Sequence, residues 1–245
     1  MSGEHLALAA LIVLFAYFIR GITGFGSGLI AVPLLAHFLP LPFVVPMVLV
    51  LDFSASLSLV RSVRRNIRWD ELKYLFPFSI IGVALGVFML IHMPREPLLA
   101  GLGIFVIVFG LRNVLNIHGE RLISRWWAIP AALSGGSVGA VFGTGGPPYI
   151  IYLSHRLHDK TQLRATFTGL FVIEGLMRAT LFIATGLLLQ KGMFTALLVA
   201  LPLMASGLYL GHRVHVGLSN RQMMRIIGTL LLLSGGSLLW KAWGG

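Results

Sequence analysis

The sequence predicts an all-α polytopic membrane protein, an inverted repeat in which each half is a re-entrant broken-helix hairpin followed by three transmembrane helices. Three observations lead to this prediction: the composition, the length of the apolar runs, and a glycine-rich interruption that occurs twice. Of the 245 residues, 57% are hydrophobic and 11% are charged, whereas soluble domains carry about 25% charged residues. Apolar runs fill nearly the whole chain, so we expect residues 1–245 to form a single transmembrane domain.

The apolar runs differ in length. Residues 6–19 would make a helix of about 21 Å, and residues 29–39 a shorter one, whereas the hydrocarbon core of a bilayer is about 30 Å thick. Residues 147–157 are a third short piece, which residues 126–142 precede. Without a basic cluster or a small-residue cleavage site near them, residues 6–19 are not predicted to be a removed signal peptide. Complete or nearly complete spans are predicted at residues 44–60, 74–93, 98–117, 165–189, 193–211 and 223–240.

The interruptions separate the short pieces. Residues 20–28 read Arg-Gly-Ile-Thr-Gly-Phe-Gly-Ser-Gly, and residues 142–148 read Phe-Gly-Thr-Gly-Gly-Pro-Pro, with the shared Phe-Gly-Ser/Thr-Gly pattern 117 positions apart. Backbone that is not helical at membrane depth occurs only where protein or a water-filled cavity satisfies its polar groups. We therefore predict that the two interruptions are the two halves of one binding site.

The distribution of Lys and Arg among the loops predicts the topology. If each interrupted segment crossed the membrane once, basic loops would lie on both sides. If each segment instead enters and leaves on the same side, thirteen Lys and Arg residues lie in cytoplasmic loops and three lie outside. Because cytoplasmic loops carry the excess of basic residues, we predict two re-entrant hairpins, with both termini outside.

Matching residues indicate an internal duplication, with repeats at about 1–118 and 119–245. Proline and glycine residues of the first half recur in the second half at one offset of 125 positions. The matched pairs are Pro77 and Pro202, Gly82 and Gly207, Gly86 and Gly211, Gly103 and Gly228, and Gly110 and Gly235. Inverted duplications of this kind are typical of secondary transporters.

The second piece of each hairpin is predicted to begin just after its glycines, near Gly28 and at Pro147. The start of a helix presents free N–H groups and about half a positive charge, which together favour a bound anion. Hydroxyl groups would add donors, and glycines would let the backbone approach the ligand; alternatively, the glycines only permit close helix packing. The predicted binding residues are Arg20, Thr23, Gly24, Gly26, Ser27, Gly28, Gly143, Thr144, Gly145, Gly146 and Pro147.

Four charged residues lie within predicted membrane segments. Arg20 is either a charge partner for an anionic ligand or one half of a structural ion pair. Asp52 and Glu174 lie at similar depths, 122 positions apart; they either carry protons that couple transport, or pair with Arg20 and Arg178 and hold the helices together. An arginine beside an acid favours the ionised carboxylate, which works against proton cycling. Arg178 follows Glu174 by one helical turn and is predicted to pair with it.

Several functions are excluded by the sequence. The net charge of +11 comes from basic residues in short loops between apolar spans, so nucleic acid is not an expected partner. The chain has no cysteine, and its histidines show no metal-ligand spacing, so we expect no metal and no cofactor. No Ser-His-Asp set, paired-carboxylate site or nucleotide-binding loop is present, so the chain is not expected to be an enzyme.

The two interruptions together resemble the sulfite exporter TauE/SafE family, also called the toluene sulfonate uptake permease family. The resemblance rests on residues 21–28 with Val32, Pro33 and Leu34 after them, and on residues 139–148, and it extends over essentially the whole chain. It implies transport of sulfite, sulfonates, sulfoacetate, thiosulfate or related small anions across a bacterial inner membrane.

We therefore expect a multi-pass secondary transporter, an exporter as the family name implies, whose partners are a small anion and the lipid bilayer. Alternating access would come from one repeat moving against the other. Proton coupling and a homodimer both stay open at this point. An anion channel that uses the same paired helix N-termini is the alternative function.

Overall fold

The computed structural model describes residues 3–23, 26–115, 122–214 and 220–244, and no strand occurs among them. These residues form α-helices joined by short connections, three of which contain single 3-10 turns at Arg64–Asn66, Arg125–Trp127 and Leu187–Leu189. The α-helices are α1 (Gly3–Thr23), α2 (Ser27–Leu35), α3 (Leu41–Val63), α4 (Trp69–His92), α5 (Arg95–Leu115), α6 (Ala128–Phe142), α7 (Gly146–Arg156), α8 (Lys160–Ala184), α9 (Met193–Arg213) and α10 (Asn220–Gly244).

The outer surface is that of a membrane protein. Within the described ranges, five helices are long and apolar enough to cross a bilayer: α1, α4, α5, α8 and α9. Large apolar side chains such as Phe88, Ile104 and Leu198 are more than half exposed on these helices. A water-soluble protein does not leave so much apolar surface uncovered, so these faces contact lipid.

Helix α1 is longer than the sequence predicts. It has 21 residues, or about 31 Å at 1.5 Å per residue, so the prediction that this piece is too short to span the bilayer is wrong. The helix continues past residue 19 because the charge of Arg20 is paired inside the protein and because Gly21 fits closely against α9. Helices α2, α6 and α7 have 9, 15 and 11 residues and are short. The re-entrant topology therefore rests on the loop charges and stays a prediction.

Both helix breaks lie where the glycines are. Gly26 has φ 95° just before α2, and Gly143 has φ 65° just after α6. This left-handed conformation is readily available only to glycine. After the second break, Pro147 and Pro148 occupy the first turn of α7, where their missing N–H groups leave no hydrogen bond unmade. The two left-handed glycines are separated by the same 117 positions as the two sequence patterns.

The glycines matched between the two halves make equivalent helix contacts. A Cβ atom added at Gly207 of α9 would lie 2.6 Å from the Leu14 carbonyl oxygen of α1. One added at its match, Gly82 of α4, would lie 2.5 Å from the Leu133 carbonyl oxygen of α6. Neither position has room for a side chain, so α1 packs on α9 as α6 packs on α4.

Helices α5 and α10 pack against each other in a reciprocal way. A Cβ atom at Gly103 would lie 3.0 Å from the Gly235 carbonyl oxygen, and one at Gly235 would lie 2.9 Å from that of Gly103. Gly110 and Gly228 repeat this reciprocity at 2.9 and 2.8 Å. Each of these two α5 glycines thus contacts the match of the other one: Gly103 lies against Gly235, and Gly110 lies against Gly228.

The closest helix contacts run between the two halves of the chain. Helix α1 of the first half packs on α9 of the second, and α4 of the first packs on α6 of the second. A small separate core is formed by α4, α6, α7 and α8, around Leu75, Ala132 and Tyr149. Helices α3 and α8 contact each other in the middle of the molecule, and they carry the two membrane-embedded acids, Asp52 and Glu174.

Candidate functional site

Arg20, in the last turn of α1, is buried and bound on several sides. Its side chain is 7% exposed, and its Nη1 donates to Asp52 Oδ1 at 2.6 Å and to Ser27 Oγ at 3.1 Å. Its Nη2 donates to Ser56 Oγ at 2.7 Å and to the Asp52 carbonyl oxygen at 3.3 Å. Arg20 therefore joins the end of α1 to the start of α2 and to the middle of α3.

Asp52 completes this first charge cluster, defined here as Tyr17, Arg20, Ser27, Asp52 and Ser56. Its Oδ1 accepts hydrogen bonds from Arg20, from the Tyr17 hydroxyl at 2.6 Å and from the Ser27 hydroxyl at 2.6 Å. A buried ion pair is tolerated when further hydrogen bonds satisfy both partners. Three donors satisfy the Asp52 carboxylate oxygen and both Nη atoms of Arg20 are bound, although Arg20 Nε has no partner among the described residues. The first charge cluster therefore links α1, α2 and α3 at the first break.

The second break has a different polar arrangement, although its hydroxyl residue matches Ser27 in position. Thr144 is 4% exposed, and its Oγ1 has no hydrogen-bond partner among the described residues. Ser27 Oγ, by contrast, donates to Asp52 and accepts from Arg20. An unpaired buried hydroxyl is expensive to keep, and among the described residues only Thr144 and Ser234 of α10 carry one.

Glu174 and Arg178 form the second charge cluster, together with Thr144. Glu174 is 1% exposed and Arg178 is 3% exposed. Arg178 Nε lies 3.6 Å from Glu174 Oε1, and neither Glu174 oxygen has a hydrogen bond within the described part of the chain. Arg178 Nη1 instead donates to the Gly139 carbonyl oxygen of α6 at 2.7 Å. The expected pairing of the two residues is observed, but it is looser than that of Arg20 with Asp52.

The backbone of the second break lies directly against Glu174. A Cβ atom added at Gly139 would lie 2.7 Å from Glu174 Oε1 and 3.4 Å from the Gly145 Cα atom. Gly145, in turn, has no room for a side chain against Gly135 and Gly139. The glycines here allow the helix break, the carboxylate and the guanidinium to share one small space.

The two breaks meet each other. A Cβ atom added at Gly28 would lie 2.5 Å from the Gly143 carbonyl oxygen and 3.5 Å from Asp52 Oδ2. The start of α2 therefore contacts the end of α6, and the positive end of one helix dipole lies beside the negative end of the other. The structure brings the two interruptions together, as one binding site requires.

The remaining predicted residues have several different surroundings. Thr23 Oγ1 donates to the Ile19 carbonyl oxygen of its own helix at 2.9 Å. Nothing lies within 4 Å of a Cβ atom added at Gly26, whereas Gly146 faces the Phe167 ring at 3.2 Å. Pro147 is buried in the first turn of α7. The predicted binding residue Gly24 lies outside the described residues, as does its neighbour Phe25.

Sequence reasoning missed two members of the first charge cluster, Tyr17 and Ser56. Tyr17 precedes Arg20 by one helical turn, and Ser56 follows Asp52 by one turn. Residues three or four apart share a helix face, so this spacing was the available signal.

A third buried acid was also missed. Glu71, near the start of α4, is 2% exposed; it accepts from the Tyr152 hydroxyl at 2.6 Å and from Arg156 Nη2 at 2.8 Å. Arg125 Nε lies 3.6 Å from the same carboxylate. This cluster fastens the end of α7 to the start of α4, away from the breaks. In the sequence, Glu71 lies next to a loop rich in Arg and Lys, where charged residues are usually exposed to water.

Comparisons with known proteins identify a family and a relative. The family model described as "Sulfite exporter TauE/SafE" matches residues 9–238. A relative from Comamonas testosteroni, described as "Probable inner membrane transporter protein TsaS", is 26% identical over 200 residues, which cover 80% of this chain and 83% of that protein. No solved structure matches the chain.

Proposed function

The chain belongs to the sulfite exporter TauE/SafE family and is a multi-pass membrane transporter, and from this membership we propose that it moves small sulfur-containing anions across an inner membrane. Sulfite and sulfonates are the substrates that the family description and the site chemistry favour. The relative from Comamonas testosteroni is described as an inner membrane transporter, which supports the same location here.

The observation that carries the proposal is the meeting of the two glycine breaks beside two buried arginines. Gly28 of one break contacts the carbonyl oxygen of Gly143 in the other, and Arg20 and Arg178 are each less than 10% exposed. Ionisable groups inside a membrane protein mark substrate or ion pathways. We place the anion between the breaks, with Thr144 Oγ1 and glycine N–H groups as its donors.

In our proposal for alternating access, each of the two groups of helices that move against each other contains helices from both sequence repeats. The glycine contacts of α1 with α9 and of α4 with α6 leave no room for a Cβ atom, so these pairs move as units. The separate core around Tyr149 links α4, α6, α7 and α8. We therefore propose that this group moves against α1, α2, α3 and α9, rather than one repeat against the other.

The same contacts favour a transporter over an anion channel. A channel needs a continuous open path in its conducting state, whereas Gly28 and Gly143 are packed backbone to backbone at the proposed site. A carrier is closed at its binding site during part of every transport cycle, which is the arrangement seen here. Such a cycle is the defining property of a carrier.

The first experiment removes the unpaired hydroxyl of Thr144, which lies at the second break, unlike the other buried unpaired hydroxyl among the described residues, that of Ser234 in α10. Purified protein in liposomes is tested for flux of sulfite and of methanesulfonate, with Thr144→Val compared against the wild type. Loss of a donor to an anion weakens binding by about 1.5–3 kcal/mol, so we expect the half-saturation concentration to rise about tenfold or more.

The matched control is Thr180→Val, because Thr180 is exposed and its hydroxyl only donates to the Leu176 carbonyl oxygen one turn earlier. This variant is expected to transport like the wild type. Equal half-saturation concentrations for the wild type and both variants would show that the Thr144 hydroxyl does not bind the anion. Absence of any anion flux through the wild type would contradict the proposed function itself.

A further inference from the structure

The two membrane-embedded acids occupy matching positions but differ in how their charge is satisfied. Asp52 Oδ1 accepts three hydrogen bonds, all of 2.6 Å, from Tyr17, Arg20 and Ser27. Glu174 accepts none within the described chain, and its nearest cation is Arg178 Nε at 3.6 Å. Both residues are almost fully buried, so the difference lies in their partners and not in their depth.

A proton has opposite consequences at the two acids. At Asp52, protonation would weaken three short hydrogen bonds that stabilise the ionised carboxylate. At Glu174, it would remove a buried charge that is close to Arg178 and to the Tyr149 hydroxyl but accepts no hydrogen bond of good geometry from either, and such a charge is costly to keep in a protein interior. Glu174 is therefore the acid at which the fold tolerates both protonation states.

The guanidinium of Arg178 connects Glu174 with the second break. Its Nη1 is bound to the Gly139 carbonyl oxygen at 2.7 Å, while its Nε, like that of Arg20, has no hydrogen bond among the described residues. Gly139 lies within one turn of the left-handed Gly143 and against Gly145. Arg178 thus holds an unused donor and a positive charge next to the backbone where we place the anion.

We infer that Glu174 is the proton-binding group of this transporter and that its protonation frees the charge of Arg178 for the anion. This inference rests on the proposed function, and it names the coupling residue and its partner. With Glu174 ionised, its charge offsets that of Arg178. With Glu174 protonated, Arg178 keeps a net positive charge that attracts the anion. Proton and anion then bind together, and the proton leaves to water on the far side when the pair re-forms.

The surroundings of Glu174 hold few other groups that titrate. Arg178 faces it from its own helix and Tyr149 faces it from α7. The Tyr149 hydroxyl is close enough to interact with the Glu174 carboxylate, although the hydrogen bond it donates is the long one of 3.4 Å to the Ala132 carbonyl oxygen. Helix α6 presents the backbone of Gly139, and α3 presents the Phe53 ring against the adjacent Gly175. The carboxylate is closely packed, and a proton is the ligand that needs no additional space.

The test measures protons taken up when the anion binds. Purified wild-type protein is titrated with methanesulfonate, which stays ionised throughout, in calorimetry buffers of different ionisation enthalpy between pH 6 and pH 8. We expect proton uptake that approaches one proton per anion at the alkaline end. Affinity is expected to fall as the pH rises, by at most about tenfold per pH unit for a single linked proton.

Two glutamate variants complete the experiment. Glu174→Gln imitates the protonated acid. We therefore expect the proton uptake on methanesulfonate binding to fall to zero and the affinity for methanesulfonate to become independent of pH. Glu71→Gln is the matched control, because Glu71 is equally buried, carries its own hydrogen bonds and lies outside the breaks. It is expected to keep the wild-type proton uptake even if it lowers thermal stability.

The outcomes separate this inference from the proposed function. If the wild type binds methanesulfonate without proton uptake, the coupling inference is wrong whether or not the Glu174 variant folds. If Glu174→Gln keeps the wild-type uptake, another group carries the proton and the inference is equally wrong. If the wild type binds neither methanesulfonate nor sulfite, the proposed function fails before coupling is considered.

Discussion

The two helix breaks carry nearly the same short sequence and use it differently. At the first break the hydroxyl residue, Ser27, is bound to Arg20 and Asp52, and the acid accepts three short hydrogen bonds. At the second break the hydroxyl of Thr144 has no partner among the described residues, and Glu174 faces Arg178 across 3.6 Å. The hydroxyl and the acid of the first break are thus satisfied by the protein itself, whereas those of the second break are not.

This difference teaches that a repeated motif need not have a repeated role. Asp52 and Glu174 match in position, but the arginine of the first pair comes from the broken helix and that of the second comes from the acid's own helix. Arg178 stands 122 positions after Ser56, the same separation as that of the two acids. Counted from its acid, the arginine of the second pair thus stands where a serine stands in the first half.

The largest expected effect is on stability, when the arginines are removed one at a time. Arg20→Met leaves the charge of Asp52 buried without its cation, which costs about 3–5 kcal/mol. Arg178→Met is expected to cost clearly less, since Glu174 already lacks hydrogen bonds and can take up a proton. Thermal unfolding of the purified proteins in detergent measures both.

A double variant controls for the loss of the long side chain. Arg20→Met combined with Asp52→Leu replaces the ion pair by apolar residues, which often restores most of the stability lost by a single change. Equal losses for Arg20→Met and Arg178→Met would show that the two charge clusters are equally important to the fold, contrary to the comparison made above.

The second effect concerns backbone contact. Gly28→Ala would place a Cβ atom 2.5 Å from the backbone oxygen of Gly143, whereas Gly139→Ala would place one 2.7 Å from the mobile end of the Glu174 side chain. Backbone cannot move aside as easily as a carboxylate, so we expect Gly28→Ala to be more destabilising than Gly139→Ala. The expected loss of unfolding free energy for Gly28→Ala relative to the wild type is about 1–3 kcal/mol.

Gly236→Ala is the control for the glycine variants. Gly236 lies in α10 with nothing within 4 Å of an added Cβ atom, so alanine is expected to be neutral or slightly stabilising there. Melting temperatures of the three variants in one detergent would settle the order. A Gly28→Ala protein as stable as Gly236→Ala would mean that the two breaks do not touch.

The smallest effect is that of single hydroxyl groups. Tyr17→Phe removes a 2.6 Å hydrogen bond to a charged carboxylate that keeps two other donors, so we expect a loss of about 1 kcal/mol. Tyr149→Phe removes a 3.4 Å hydrogen bond to a neutral carbonyl oxygen, so its effect is expected to be smaller still. The difference in unfolding temperature between the two variants is the measurement, and a reversed order would contradict the account.

The fold was largely predictable because its signals are local. Glycine and proline determine where a helix can break, so the starts of α2 and α7 lie within two residues of the predicted positions. The length of α1 was not predictable in the same way. Whether a helix continues through Arg20 depends on Asp52, which lies 32 positions away in the sequence and 2.6 Å away in space.

The site was predictable only in part, for a related reason. Ser27 and Thr144 look alike in sequence, and only the three-dimensional neighbours show that the first is bound within the protein and the second is not. Tyr17 and Ser56 became visible only when their donors and acceptors were located. Sequence patterns identified the elements of the site, while the division of roles between the breaks required the contacts.

The central claim, that this chain carries a small sulfur anion through a site closed by the two breaks, is tested most directly by counterflow. Liposomes containing the purified protein are loaded with unlabelled sulfite, diluted, and supplied with a trace of labelled sulfite outside. We expect labelled sulfite to accumulate transiently above its equilibrium level, because a carrier exchanges one anion for another. A simple approach to equilibrium without overshoot would indicate a channel, and no uptake of label at all would contradict transport of sulfite.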